Sequence, residues 1–151
     1  MPIYTWLRLK IAASKVTLGE LVRRITVPTR VLIVEDHADS LEVLTIQLKA
    51  MGYEVIEAMT GEEGIEKAQV HHPEIIVMDL GLPGINGIEA TQRLKGNPET
   101  ANIPVIAHTA WPEEAFRSEG SKAGISDFLT KPTSPYRFKS TIEKCLKLRT
   151  H

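Results

Sequence analysis

This sequence predicts an α/β fold, a parallel sheet with helices on both faces, from three observations. Short apolar runs recur along the chain, among them Val31-Leu32-Ile33-Val34 and Ile75-Ile76-Val77-Met78. These runs are continuously apolar rather than alternating, as strands buried on both faces are. Segments of helical length, with capping and turn residues at their ends, lie between them, and that alternation defines the class. The chain of 151 residues is long enough for one ordinary domain with a core.

The elements follow in order. The first strand spans 31–35. A helix follows over about 38–51, with Leu41, Leu44, Ile46, Leu48 and Met51 as its apolar positions, and Gly52 ends it. The second strand is 53–57. Thr60-Gly61-Glu62-Glu63 is a capping box that opens a helix to about 70, with His71-His72 at its exit. The third strand is 75–79, and Gly87 opens a helix to about 95, before Asn97-Pro98 breaks the chain. The fourth strand is 103–107, with His108 and Thr109 at its end. Pro112-Glu113-Glu114 suits a first helical turn, giving a helix to about 119. The fifth strand is about 126–129, and Ser134-Pro135 caps a last helix to about 148.

Composition narrows the function. The hydrophobic fraction of 42% and the charged fraction of 25% are those of a soluble globule. The net charge of −1 hides an asymmetry: residues 1–30 carry six Lys/Arg and one Glu, leaving 12 basic and 18 acidic residues after them. A body with a charge near −6 argues against direct nucleic-acid binding. The single cysteine, Cys145, excludes an internal disulfide and a thiolate metal cluster, and its helical setting suits a structural thiol. No run of 18 apolar residues exists to span a membrane, and the N-terminus lacks a continuous apolar signal region. The cytoplasm is the expected compartment.

Residues 1–28 read as an extension and 29–151 as the domain, with Pro28 at the boundary. Residues 7–11 alternate like a strand, and 16–25 suit a short amphipathic helix. Three readings of the extension stand side by side: an unstructured or over-long start, an arm that packs or holds a homodimer, and a membrane-surface helix. The last is disfavoured because the basic residues do not share one face.

The chemistry-bearing residues sit at strand ends, where sites form in such sheets. Glu35 and Asp36 end the first strand, Asp79 the third, Thr109 the fourth, and Lys131 follows the fifth. Three carboxylates brought together repel, and a divalent cation relieves that cost. An all-oxygen ligand set favours magnesium or manganese over zinc. Lys131 serves either as a plain ion-pair partner or as a clamp on phosphoryl oxygens, to which the Thr109 hydroxyl could donate. Together these parts suit phosphoryl transfer onto Asp79. His37 belongs to solvent or to the outer shell of the metal, and His108 is expected as a packed or surface-lining histidine. No Gly-Lys-Ser/Thr loop is present, so ATP is not expected as a direct substrate.

These motifs resemble the receiver domain of bacterial two-component response regulators over about residues 29–148. They are Val31-Leu-Ile-Val-Glu35-Asp36, Val77-Met-Asp79-Leu-Gly-Leu-Pro83-Gly-Ile-Asn-Gly87, Pro104-Val-Ile-Ala-His-Thr109-Ala110 and Gly124-Ile-Ser-Asp-Phe128-Leu-Thr-Lys131-Pro132. The resemblance implies a flavodoxin-like, doubly wound sheet of five parallel strands in the order 2-1-3-4-5, with five helices. It implies that Asp79 accepts a phosphoryl group from a sensor histidine kinase or a histidine phosphotransfer protein, within a phosphorelay. Glu35, Asp36, Asp79 and the backbone carbonyl of Gly81 would hold magnesium, with manganese as a substitute. Lys131, Thr109 and the backbone of Ala110 would contact the phosphoryl oxygens.

Thr109 and Phe128 would form the switch, the hydroxyl moving to the phosphoryl group and the ring turning inward. A downstream protein target would read the surface of the fourth helix, fifth strand and fifth helix. Departures from the family pattern are Leu82 and Ile85 where methionines are common, and the phenyl of Phe128, which lacks a tyrosine hydroxyl. Gly81 and Trp111 occupy positions that tune phosphoryl lifetime, and Trp111 is either a docking aromatic or ordinary packing. No output module is legible after the last helix, so a stand-alone receiver and a piece of a longer regulator are both expected readings. The chain is not expected to act as an enzyme on a separate substrate. Two alternatives remain: a pseudo-receiver that is only an interaction module, and a small metal-dependent phosphatase.

Overall fold

The computed structural model describes residues 17–149. Five strands form one parallel sheet: β1 (Arg30–Val34), β2 (Glu54–Ala58), β3 (Ile75–Met78), β4 (Val105–Thr109) and β5 (Asp127–Thr130). Their order is β2-β1-β3-β4-β5, as the resemblance implied. Six helices accompany them: α1 (Leu18–Thr26), α2 (Ala38–Ala50), α3 (Gly61–His71), α4 (Gly87–Gly96), α5 (Glu113–Ala123) and α6 (Pro135–Arg149). Five belong to the repeating strand–helix pattern, and α1 is the helix expected near 16–25. The strand expected at 7–11 lies outside the described residues.

Alternation along the strands splits the core in two. Leu32, Val34, Ile76, Met78, Val105, Ala107 and Phe128 face one side, with Ala68, Ile88, Leu94 and Ala123 from α3, α4 and α5. Val31, Ile33, Ile75, Val77, Ile106 and Leu129 face the other, with Leu41, Leu44 and Leu48 of α2 and Phe138 and Ile142 of α6. Covering both faces is what allows continuous apolar runs in β1 from Val31, in all of β3 and in β4 as far as Ala107. The edge strands differ, with Glu54 and Glu57 of β2 and Thr130 of β5 exposed.

Local signals explain the helix ends. The Thr60 side chain accepts a hydrogen bond from the Glu63 N–H at 3.0 Å, while the Glu63 carboxylate accepts from the Met59 N–H at 3.1 Å. The capping box thus closes one residue further back than its usual form. Ser134 Oγ accepts from the Arg137 N–H at 3.2 Å, as expected for the cap of α6. Asn86 caps α4 by accepting from Glu89 N–H at 2.9 Å, a signal the sequence carried in the Asn-Gly-x-Glu spacing. Gly52 closes α2 at φ +94°, a conformation that favours glycine.

Three expectations need correction. The helix expected to end near 119 runs to Ala123. Ile46 does not face the core but is 62% exposed, and Thr45 takes its place beside Leu41, Leu44 and Leu48. Positions 41, 44, 45 and 48 make one helical stripe, and 46 falls off it. The fourth strand begins at Val105, not at 103. Ile103 is buried, but its N–H bonds to the Thr100 carbonyl, and Pro104 has no N–H to offer a ladder. The strand therefore extends through His108 and Thr109, which pair with Leu129 and Thr130. The other strand limits differ by a single residue, so that Glu35 and Asp79 stand just past β1 and β3 rather than within them.

Candidate functional site

Backbone register places the site. Val34 lies opposite Met78, and the Asp79 N–H donates to the Val34 carbonyl at 3.0 Å. The Glu35 N–H donates to the Ala58 carbonyl at 3.0 Å. The Lys131 N–H donates to the Thr109 carbonyl at 2.8 Å. The ladder thus carries on past the strand ends and sets Glu35, Asp79, Thr109 and Lys131 along one edge of the sheet. The Lys131–Pro132 peptide is cis.

Lys131 reaches across the sheet and joins the two buried acids. Its Nζ lies 2.7 Å from Glu35 Oε2 and 3.2 Å from Asp79 Oδ2. Asp79 Oδ1 accepts from the Gly81 N–H at 3.0 Å. Glu35 is 1% exposed and Asp79 7% exposed. Burial pushes the Glu35 carboxyl up, against the pull of the Lys131 hydrogen bond, and the Asp79 charge adds to the rise. For Lys131 burial works downward, but the Glu35 and Asp79 carboxylates outweigh it and raise the ammonium.

The acidic end fits a hard divalent cation. Glu35 Oε1 and Asp36 Oδ1 are buried atoms that accept no hydrogen bond among the described residues. Ligand atoms of Glu35, Asp36 and His37 lie within 4.8 Å of one another. Two carboxylate oxygens left unpaired beside each other invite a cation to balance them. Asp79 adjoins this group through its shared contact with Lys131. His37, expected in solvent or in the outer shell of the metal, has an exposed ring beside these acids. Its Nδ1 stands 3.3 Å from Glu35 Oε1 and 3.2 Å from Asp36 Oδ1.

Thr109 is buried, and its Oγ1 accepts from the Trp111 N–H at 3.1 Å. Trp111 is half-buried against the core and packs on Phe116, with ring centroids 4.4 Å apart. The indole therefore packs on the core while keeping part of its surface exposed, and it lies over Gly81. Phe128 is 6% exposed, so its ring already lies inside. It sits against Gly120, where a β-carbon would come within 2.7 Å of the ring, and the Arg117 guanidinium lies 5.8 Å from its centroid. Gly87 is another position that spacing alone did not reveal. A β-carbon there would collide with the Asp79 carbonyl oxygen, so α4 can approach the end of β3 only through glycine.

His108 is buried with its ring edge-on to Phe138 at 5.1 Å. Burial, with the nearby Lys131 charge, lowers it to about 4, against an upward pull from Asp79. It is the packed histidine the sequence suggested. Cys145 is buried, and burial together with Asp127 pushes its thiol up, against a small opposing effect of Lys144, so it is a structural thiol. A cavity of about 560 Å³ beside Cys145, lined by Lys95, Pro104 and Ser126, lies where β4 and β5 begin, at the other end of the sheet from the acids.

A doubly wound sheet in the order β2-β1-β3-β4-β5, with buried acids, a lysine and a hydroxyl at the carboxyl ends of its strands, is the arrangement of a signalling receiver domain. The chain belongs to the response regulator receiver domain family, whose model matches residues 31–143. It is 36% identical over 117 residues to Protein PilH of Pseudomonas aeruginosa, a match covering 78% of this chain and 97% of PilH. A crystal structure of a putative response regulator from Chloroflexus aurantiacus superposes with a TM-score of 0.76 at 32% identity, covering 80% of this chain and 98% of that one. The receiver domain of the sensor histidine kinase PA1611 from Pseudomonas aeruginosa superposes with a TM-score of 0.74 at 26% identity, over 80% of this chain and 98% of that one. That structure has a magnesium ion coordinated in its active site cleft. Receiver domains are signalling domains that take phosphoryl groups from histidine kinases and act on downstream targets. Among the described residues no helix is long and apolar enough to cross a membrane.

Proposed function

We propose that this chain is a phosphorylation-dependent switch of a two-component phosphorelay, with Asp79 as phosphoacceptor. The observation that carries the reading is the shared contact of Lys131 with buried Glu35 and Asp79. It holds a nucleophilic carboxylate beside a fixed positive charge, which phosphoryl transfer needs. Glu35, Asp36, Asp79 and the Gly81 carbonyl would hold magnesium, or manganese in its place. When bound, the cation offsets the charge that gathers on the transferring group.

An Asp79 oxygen attacks the phosphorus of a phosphohistidine donor. The O–P bond forms, the P–N bond breaks, and the electron pair leaves with the imidazole, which takes a proton. Lys131 then shifts its contact from the carboxylates to a phosphoryl oxygen. The Thr109 hydroxyl turns from the Trp111 N–H to donate to a second oxygen, and the Ala110 N–H contacts the group through the backbone. Phe128 is already inward, so in this chain the change is read chiefly in the 109–111 turn and the adjoining face of α5, β5 and α6. A segment that both Trp111 and Thr109 hold is one that phosphorylation can bias between two arrangements.

The reading assigns residues 29–151 to the receiver and 1–28 to an extension, either an unstructured start or an interaction arm. The donor is a histidine kinase or histidine phosphotransfer protein, and the target is a protein rather than a nucleic acid, in the cytoplasm. Its chemistry is confined to its own aspartate. The test is transfer of a labelled phosphoryl group from phosphohistidine donors to the wild type and to Asp79→Asn. Label should reach the wild type alone. A folded protein that takes no label from any donor offered contradicts the proposal.

A further inference from the structure

The imidazole next to the acidic pair points to a different metal preference from an all-oxygen site. His37 is the residue that caps α2, with extended backbone at φ −91° and ψ 115°, yet its side chain makes no capping hydrogen bond. The ring is 74% exposed, and its Nδ1 is directed at two acids. Both target oxygens, Glu35 Oε1 and Asp36 Oδ1, are buried and accept no hydrogen bond. Glu35 is 1% exposed, so its unpaired oxygen faces this cluster and not water.

The spacing is that of ligands and not of a tight ion pair. An imidazolium donating to a carboxylate sits at about 2.7–2.9 Å. Here the separations are 3.3 and 3.2 Å. Metal–ligand bonds of about 2.1 Å put adjacent octahedral donors roughly 3.0 Å apart. The two imidazole–carboxylate separations are thus close to the spacing of neighbouring donors on one ion, and all three ligand atoms lie within 4.8 Å of one another.

We propose that His37 is a nitrogen ligand of the cation site, giving this protein a preference for a first-row transition-metal ion over magnesium. The inference rests on the reading that Glu35 and Asp36 hold a divalent cation. Magnesium binds oxygen donors and gains little from an imidazole, whereas imidazole suits the transition metals. The nitrogen therefore raises affinity for Mn²⁺ and heavier ions while leaving magnesium nearly unaffected.

The probe is Mn²⁺ alone, titrated into the full chain and read by electron paramagnetic resonance of the free ion, with Mg²⁺ measured by competition. His37→Asn should weaken Mn²⁺ binding about tenfold, or 1.4 kcal/mol, with Mg²⁺ affinity unchanged. Pulsed measurements on the bound ion should show directly coordinated nitrogen in the wild type and none in the variant. Asp36→Asn should abolish binding of both ions, which assigns the signal to this site. Because His37 is exposed, the variant should melt with the wild type. Equal Mn²⁺ affinities for wild type and His37→Asn, or no nitrogen coupling in the wild type, overturn the inference while the cation site stands. Absence of any Mn²⁺ or Mg²⁺ binding that Asp36→Asn removes overturns the cation site as well.

Discussion

The indole of Trp111 lies over Gly81: a β-carbon at position 81 would come within 3.3 Å of its Cζ2 atom. The N–H of that same glycine holds Asp79 Oδ1. The bulky ring and the absent side chain are therefore complementary, two residues past Asp79. On the proposed function, the indole stands beside a phosphoryl group on Asp79 and limits the water that reaches it. Excluding water slows hydrolysis. Trp111→Ala should shorten the lifetime of the phosphorylated protein about tenfold, the effect of lowering the barrier by ~1.4 kcal/mol. Loss of label after removal of the phosphodonor gives the rate.

Lys131 compensates Glu35 as well as Asp79. Lys131→Met leaves Glu35 buried without its cation, and breaking such a pair costs about 3–5 kcal/mol. Burial already raises Glu35 above its ordinary 4.5 in the wild type, and loss of the ammonium raises it further. A carboxyl raised in the folded state holds its proton there first. Its contribution to stability is thus intact below pH 4.5 and is lost as pH rises through the raised value. The deficit of Lys131→Met should be largest at neutral pH and shrink on acidification toward 4.5. A divalent cation should reduce it at neutral pH. Urea denaturation with and without the cation, across that range, measures both.

His108 supplies a separate acid response. It takes a proton in the fold only near pH 4, against an ordinary 6.5. The unfolded chain therefore binds more protons between these values, and stability present above pH 6.5 is lost as pH falls toward 4. At about 1.4 kcal/mol per tenfold change in proton affinity, the full loss attributable to this residue is roughly 3.5 kcal/mol. His108→Gln should start less stable at neutral pH, because the Phe138 contact is gone, but should lose less on acidification. Denaturation midpoints at pH 7 and pH 4.5 give the comparison.

The sheet was legible because its strands are buried on both faces, so that apolar runs ending in acids betrayed both the elements and the site edge. Glu35, Asp79, Thr109 and Lys131 could be placed together once strand order was known. What escaped were features set by tertiary approach. Gly87 and Gly120 look like ordinary helix glycines until the Asp79 carbonyl and the Phe128 ring are seen against them. Ile46 was misjudged because an apolar residue in a helix says nothing of its azimuth, whereas Thr45 is held inside by its 2.7 Å bond to Glu57. The start of β4 was misplaced because Ile103 is as buried as a strand residue while bonding to its own loop. His37 was legible only as a solvent or outer-shell residue, since one histidine after an acidic pair has no periodicity or spacing to fix its role.

The central claim is that Asp79 itself becomes phosphorylated with the help of a divalent cation. Intact-mass measurement after incubation with acetyl phosphate and magnesium tests it most directly. The account predicts a gain of one phosphoryl group in the wild type, lost on chelation of the cation and absent in Asp79→Asn. A phosphoryl group that persists in a folded Asp79→Asn variant, or whose uptake is indifferent to the chelator, would contradict it.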